Sequence, residues 1–288
     1  MSKGGSILTE QLPIFDLHTH STASDGACTP GQVVQQAACQ GVTTLALTDH
    51  DTVSGVAEAM SAGEKLGVRV IPGVELSVER AFTLHMLGYF VDTQKGPLVD
   101  LLGRMQALRL ERTARMVEKL QKLGMDITYD EVRKFASGEV IARPHVARAL
   151  MEKGYVDSVK EAFEKYIGLG GPAYVPKSSM DAREAIGVIR ASGGAAVLAH
   201  PRLMHLPPDQ TESLIREMAQ AGMRGLECYY PKNPPEFTAW CVGLCEKYGL
   251  VATGGSDFHG ENRPGQPVGT AQKGVWHPAG YPDCLLND

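Results

Sequence analysis

The 288-residue sequence predicts an α/β fold: a seven-stranded β/α barrel interrupted by one helical insertion. Three observations carry that expectation. Short apolar runs recur with helix-patterned stretches between them, the alternation of a parallel barrel. Several of those runs end on histidine or a carboxylate. The rhythm breaks once, from about residue 93 to residue 176, where the apolar spacing turns helical.

In chain order, the expected strands are 14–18, 44–48, 70–75, 84–89, 195–200, 225–229 and 251–255. Thr29-Pro30-Gly31 opens a helical run that ends at Gly41, and a second helical run lies between Gly55 and Gly67. Inside the insertion, Leu101, Met105, Leu108, Met116, Leu120 and Leu123 fit one amphipathic helix. Shorter helical stretches follow at 129–135, at 145–153 closed by Gly154, and at 159–167. The expected organisation is a catalytic barrel made of residues 1–92 and 177–288. Residues 93–176 form the helical insertion, capping the active site.

Hydrophobic residues make up 43% of the chain and charged residues 21%, ordinary for a globular protein. The formal net charge of -5 excludes a nonspecific polyanion binder, so an anionic substrate must be held locally. No signal-peptide core and no transmembrane-length apolar run is present. A cytoplasmic location, no membrane association and no stable protein partner are expected. The six cysteines are scattered, and Cys241 and Cys245 alone share a helical face, so reduced structural thiols are expected.

The chemistry sits where the strands end. The first strand runs into His18-Thr19-His20, whose period-two spacing lets both rings share one side. The second runs into Asp49-His50-Asp51 and the third ends on Glu75; His85 stands in the fourth, His200 ends the fifth, and Asp257-Phe258-His259 follows the seventh. In a parallel barrel these positions share the C-terminal face. Asp25 belongs with the same set. Several carboxylates gathered without partners are costly, and coordinating a metal is one way to hold them. Imidazole plus carboxylate suits manganese first, with zinc, iron(II) or magnesium as alternatives. Clustered divalent ions suit phosphate-ester hydrolysis, because they neutralise nonbridging oxygens and acidify water.

These motifs resemble the polymerase-and-histidinol-phosphatase (PHP) family. The matching elements are Asp-Leu-His-Thr-His-Ser from Asp16, Ser24-Asp25-Gly26, Leu-Thr-Asp-His-Asp-Thr around His50, Gly-Val-Glu-Leu-Ser around Glu75, His85, Ala-His-Pro around His200, and Gly-Ser-Asp-Phe-His ending at His259. The resemblance implies a distorted, TIM-like (β/α)7 barrel with two to three divalent ions. It implies that His18, His20, Glu75 and Asp257 hold one ion. Glu75 bridges to a second ion on His85 and His200, and Asp25, His50 and His259 hold a third. The catalytic core is then His18, His20, Glu75, His200 and Asp257.

Within the family, the insertion after the fourth strand is similar to a branch that acts on nucleotides. That branch removes the 3'-phosphate of nucleoside 3',5'-bisphosphates, and some members trim RNA from its 5' end. The implied substrate is therefore a nucleotide or a short RNA. Arg143-Pro144-His145 resembles an element of that branch. On its own terms, Pro144 suits the start of a helix, where Arg143 can meet an anion. His145, Lys177 and Arg202 are the other candidate substrate contacts. Asp16, Asp49 and Asp51 are expected to orient the histidines from behind, and Glu227 to support the site or touch substrate. The alternatives are a histidinol-phosphate-type phosphatase of the same family, an amidohydrolase-type C–N hydrolase, and a non-catalytic metal- or nucleotide-binding module. The C–N hydrolase lacks an evident carboxylated lysine, and the non-catalytic module would need a degenerate ligand set, whereas this one is complete.

Overall fold

The computed structural model describes residues 13–78, 82–136, 141, 143–176, 180–271, 275, 277 and 280–287. The fold is a distorted TIM-like barrel. Strands β1 (Ile14–Thr19), β2 (Val42–Leu47), β3 (Arg69–Val78), β4 (Leu84–Tyr89), β5 (Ala195–Leu198), β6 (Gly225–Tyr229) and β7 (Val251–Gly254) lie side by side in chain order. The sheet closes just beyond β7. There the Asp257 amide donates to the His18 carbonyl at 2.9 Å, and the His20 amide donates to the Phe258 carbonyl at 2.9 Å. The seam is tight enough to require Gly255, since a Cβ there would stand 2.2 Å from the His18 Cβ.

One expectation needs correction. The barrel is not all parallel: β4 pairs antiparallel with both β3 and β5. The reason lies in β3, which at ten residues is the longest strand. Its first half, Arg69 to Pro72, pairs with β2, and its second half, Gly73 to Val78, runs on as one arm of a hairpin with β4. Antiparallel neighbours need only a short turn, so no crossover helix intervenes. The reversal also explains His85. As the second residue of β4 it would lie at the base of a parallel barrel, whereas reversal brings it to the face where the other strands end.

The reversal leaves the chain at the base when β4 ends, and helix α3 (Pro97–Lys122) carries it back up. At 26 residues it is about 39 Å long. Its first turns pack Leu98, Leu101 and Leu102 into the outer barrel core beside Ala185, Ile186 and Ile189. Its later turns give Met116, Val117 and Leu120 to a second core with Val146, Leu150 and Ile167. Leu108, expected on the apolar face, is 43% exposed because the helix changes the core it faces midway, and Leu123, 47% exposed, lies just past the helix end. The second core is completed by α4 (Tyr129–Arg133), α5 (Arg143–Glu152), α6 (Val159–Ala162) and a π-helical turn, Phe163–Ile167. The barrel resumes with α7 (Ala182–Ala191), α8 (Pro208–Gln220) and α9 (Pro235–Tyr248). On the other side, α1 (Pro30–Cys39) and α2 (Val56–Leu66) follow β1 and β2; Thr29 caps α1 in a reciprocal capping box with Gln32.

Cys228, Cys241 and Cys245 are buried together in the outer core, where burial pushes the Cys228 thiol up, so they act as small apolar residues. Among the described residues, no helix is long and apolar enough to cross a membrane.

Candidate metal centre and its cleft

Glu75 is the hub of the site. It is fully buried on β3, and its two oxygens face two different groups of imidazoles. Oε1 lies 2.7 Å from His85 Nδ1 and 2.9 Å from His200 Nε2. Oε2 lies 3.0 Å from His50 Nδ1, 3.3 Å from His20 Nε2 and 3.4 Å from His18 Nε2. His85 reaches Glu75 because Ser77 pairs with His85 and Glu75 with Leu87, making the two diagonal neighbours on one face of the hairpin.

Around His18 and His20 the donors converge. Their Nε2 atoms are 3.1 Å apart, and Asp257 Oδ1 stands 3.6 and 3.3 Å from them. Neighbouring donors on one ion with bonds of ~2.0–2.2 Å lie about 2.9–3.5 Å apart, so the spacing fits a shared cation. A second group lies toward solvent. Asp25, half exposed, is 3.2 Å from His259 Nε2, 3.7 Å from His20 Nδ1 and 3.9 Å from His50 Nε2. The tightest groupings among the described residues are His18, His20 and Glu75; His50, Glu75 and His85; and His20, Asp25, His50 and His259. These groupings differ from the expected partition: His20 and His50 each belong to two groups, and Asp257 and His200, expected beside His18 and His85, stand outside the tightest sets.

Glu75 Oε2, His20 Nδ1, His50 Nδ1 and His259 Nε2 are buried with no hydrogen-bond partner among the described residues. Each faces a neighbour closely without bonding it. Such orphaned atoms are costly, and a cation that accepts lone pairs resolves them together. The residues therefore fit a divalent metal.

The electrostatics agree. Burial opposes charge on Glu75, yet His50, His85 and His18 hold its carboxyl well below the usual range. Burial opposes charge on Asp257 too, and His18 and His20 hold it down. His20 would be lowered by burial, but Asp257 and Glu75 raise it to about 9. Its folded-state pKa exceeds the unfolded value of about 6.5, so the bound proton stabilises fully below that pH and ceases to as pH rises through about 9. Tm measured in chelator is expected to fall between pH 6.5 and 9, by an amount equivalent to up to about 3 kcal/mol. A flat profile would contradict the raised imidazole.

The supporting residues hold the loops. Asp16 accepts from the amides of Ser256 at 2.8 Å and Gly269 at 2.6 Å, and Asp49 accepts from the Ser21 amide, the Ser21 hydroxyl and the Ser24 hydroxyl. Asp51 accepts from Ser77 and from Arg109. Asp16 also accepts from the His18 amide at 3.4 Å, so the contacts of these three carboxylates hold the strand end and loops that carry the imidazoles. Gly26 lies in one such loop because a Cβ there would come 2.6 Å from the His20 carbonyl oxygen. Tyr230 and Arg263 both donate to Asp257 Oδ2, at 3.0 and 2.6 Å; neither stands in a motif.

A cleft of about 640 Å³ opens from this cluster toward the second core. Asp25, His50 and His85 form one wall; Arg109, Arg112, Arg143, His145 and Arg148 form the other. Arg143 opens α5, and its guanidinium lies over the Phe163 ring at 5.2 Å. Burial and Arg148 both lower the His145 pKa. Arg109 and Arg112 escaped the sequence reading: they lie within the expected helix, and only their spacing of three, which puts them on one helical face, hints at a shared role. Lys177 lies outside the described residues. Arg202, expected to touch substrate, stands apart from the cleft. The 3-10 turn Pro201–Met204 directs it outward, where it is exposed and donates to the Lys232 carbonyl, and it does not line the cleft.

Residues 16–220 match the PHP domain. The chain belongs to the PHP family. A 5'-3' exoribonuclease of Haemophilus influenzae is 37% identical over 250 residues, covering 85% of this chain and 89% of the relative. A 3',5'-nucleoside bisphosphate phosphatase of Chromobacterium violaceum is 35% identical over 257 residues, covering 88% and 90%. A solved structure from Bifidobacterium adolescentis, described as a metal-dependent phosphoesterase, superposes with a TM-score of 0.73 at 32% identity, covering 89% and 92% of the two chains.

Proposed function

We propose that this PHP protein is a metal-dependent phosphoesterase that removes the 3'-phosphate from nucleoside 3',5'-bisphosphates and trims short RNA from the 5' end. The observation that carries the reading is the cleft, which sets an imidazole–carboxylate cluster against four arginines. Bound divalent ions would supply Lewis acidity: they neutralise phosphoryl charge and make water acidic enough to attack near neutral pH. His18, His20, Asp25, His50, Glu75, His85, His200, Asp257 and His259 are the residues to hold two or three of them, with manganese favoured by the mixed nitrogen and oxygen donors. The arginines and His145 bind the phosphate that does not react and so orient the one that does, with binding energy from the remote group spent on alignment. Residues 93–176 act as the cap that supplies this second subsite. The buried free thiols suit a cytoplasmic setting. The relatives named for nucleotide and RNA substrates support the same class. Among the described residues no lysine lines the cleft, which weighs against a carboxylated-lysine C–N hydrolase.

The test combines elemental analysis with phosphate release. After reconstitution with manganese, two to three ions per chain are expected, along with turnover of a nucleoside 3',5'-bisphosphate far above that of histidinol phosphate. Less than one ion per chain, or histidinol phosphate as the best substrate, would overturn the assignment.

A further inference from the structure

Glu227 belongs to none of the ligand groupings above, yet it is fully buried and touches both halves of the centre. Its Oε1 lies 2.9 Å from His18 Nδ1, and its Oε2 accepts from the His200 backbone amide at 2.6 Å. Both contacts arise from irregularities in the strands. Between Asp16 and Thr19, three steps along β1 match two along β2, a bulge that contains His18. Between Glu227 and Tyr229, two steps along β6 match one along β7, a second bulge directly after Glu227. On β6, Cys228 packs into the outer core, so alternation turns Glu227 to the inner face. The β5–β6 ladder ends at Leu198 and Leu226. One step beyond, the Glu227 carboxylate replaces the missing backbone acceptor and holds His200, whose φ of 26° no regular strand would fix.

We propose that Glu227 is a positioning residue that commits His18 to ligation through Nε2 and ties that histidine to His200 across the barrel. The inference rests on the metal reading above. A carboxylate here accepts from two donors at once, the His18 Nδ1–H and the His200 N–H. With the proton fixed on Nδ1, the Nε2 lone pair is left facing Glu75, His20 and Asp257. Glutamine has nearly the same shape but only one acceptor. The backbone N–H cannot reverse, so the Gln oxygen stays with His200 and its NH₂ faces His18 Nδ1. The ring must then carry its proton on Nε2, pointing into the centre, where it cannot bind a metal.

The experiment compares wild type with Glu227→Gln by metal titration and elemental analysis, and follows His18 in 15N-labelled, zinc-loaded protein by NMR. Glu227→Gln is expected to keep its circular dichroism, to bind the ion that His18 ligates about 10–100-fold less tightly, and to lose about one ion per chain at metal levels that saturate wild type. In wild type, His18 is expected to be protonated on Nδ1 and bound through Nε2. That measurement needs no variant, so misfolding of Glu227→Gln does not remove the test. Unchanged affinity in a folded Glu227→Gln, or His18 bound through Nδ1 in wild type, overturns the role of Glu227 while wild-type metal binding stands. A wild-type protein that binds no divalent ion overturns this role and the metal reading together.

Discussion

Glu75→Gln is expected to abolish turnover by several orders of magnitude and to lower the metal content of both inner groupings at once. The carboxylate lies within 3.4 Å of five imidazoles, with Oε1 serving His85 and His200 and Oε2 serving His18, His20 and His50. An amide keeps the shape and removes the charge. Loss of one ligand on one ion typically weakens one site; loss of a bridge weakens two. Acidifying water is worth many pKa units, so losing the ions costs far more than losing any substrate contact. The circular dichroism is expected to persist, because the substitution is nearly isosteric and β3 keeps its ladders to β2 and β4. The decisive measurement is ion stoichiometry beside kcat on the same preparation. Full metal content with near-normal turnover would show that Glu75 does not bridge.

Arg143→Ala carries the second large effect, and it is selective. Arg143 stands across the cleft from His50 and His85, near enough to the cluster for one substrate to span both. Arg109 is held by Asp51, and the Arg112 Nε donates to the Val175 carbonyl at 2.8 Å, so each already has a structural bond. Arg143 instead rests on Phe163 and makes no ion pair among the described residues, which suits its fork to an anion. A charge-assisted contact is worth roughly 1.5–3 kcal/mol, so kcat/KM for a nucleoside 3',5'-bisphosphate is expected to fall about ten- to a hundredfold. Hydrolysis of a small aryl phosphate, which has no second phosphate, is expected to be nearly unchanged, as is Tm. A competition assay on bisphosphate, mononucleotide and a short 5'-phosphorylated RNA reads the preference directly. Equal losses on all substrates would place Arg143 in the general architecture rather than in recognition of the distal phosphate.

The sequence by itself determined the strands and the histidine and carboxylate positions. Apolar runs of four to six residues followed by Asp, His or Glu are local signals: they need only the alternation of a strand and the polarity of the loop beyond it. That is why all seven strands, and the motifs around His18, His50, Glu75, His200 and Asp257, were legible in chain order. The direction of β4 was not. An antiparallel strand buries the same residues in the same alternation as a parallel one, and only its pairing with β3 and β5 shows that His85 begins the strand at the site face. The outward turn of Arg202 depends on the backbone beyond His200, which no side-chain pattern encodes. Arg109 and Arg112 looked like the polar face of a helix. Their role in the cleft depends on α3 running about 39 Å from the base of the barrel to its mouth, a path set by the reversed strand before it. Glu227 and His18 are 209 residues apart in sequence and 2.9 Å apart in space. Two bulges bring them together, and register, unlike composition, exists only once the strands have paired.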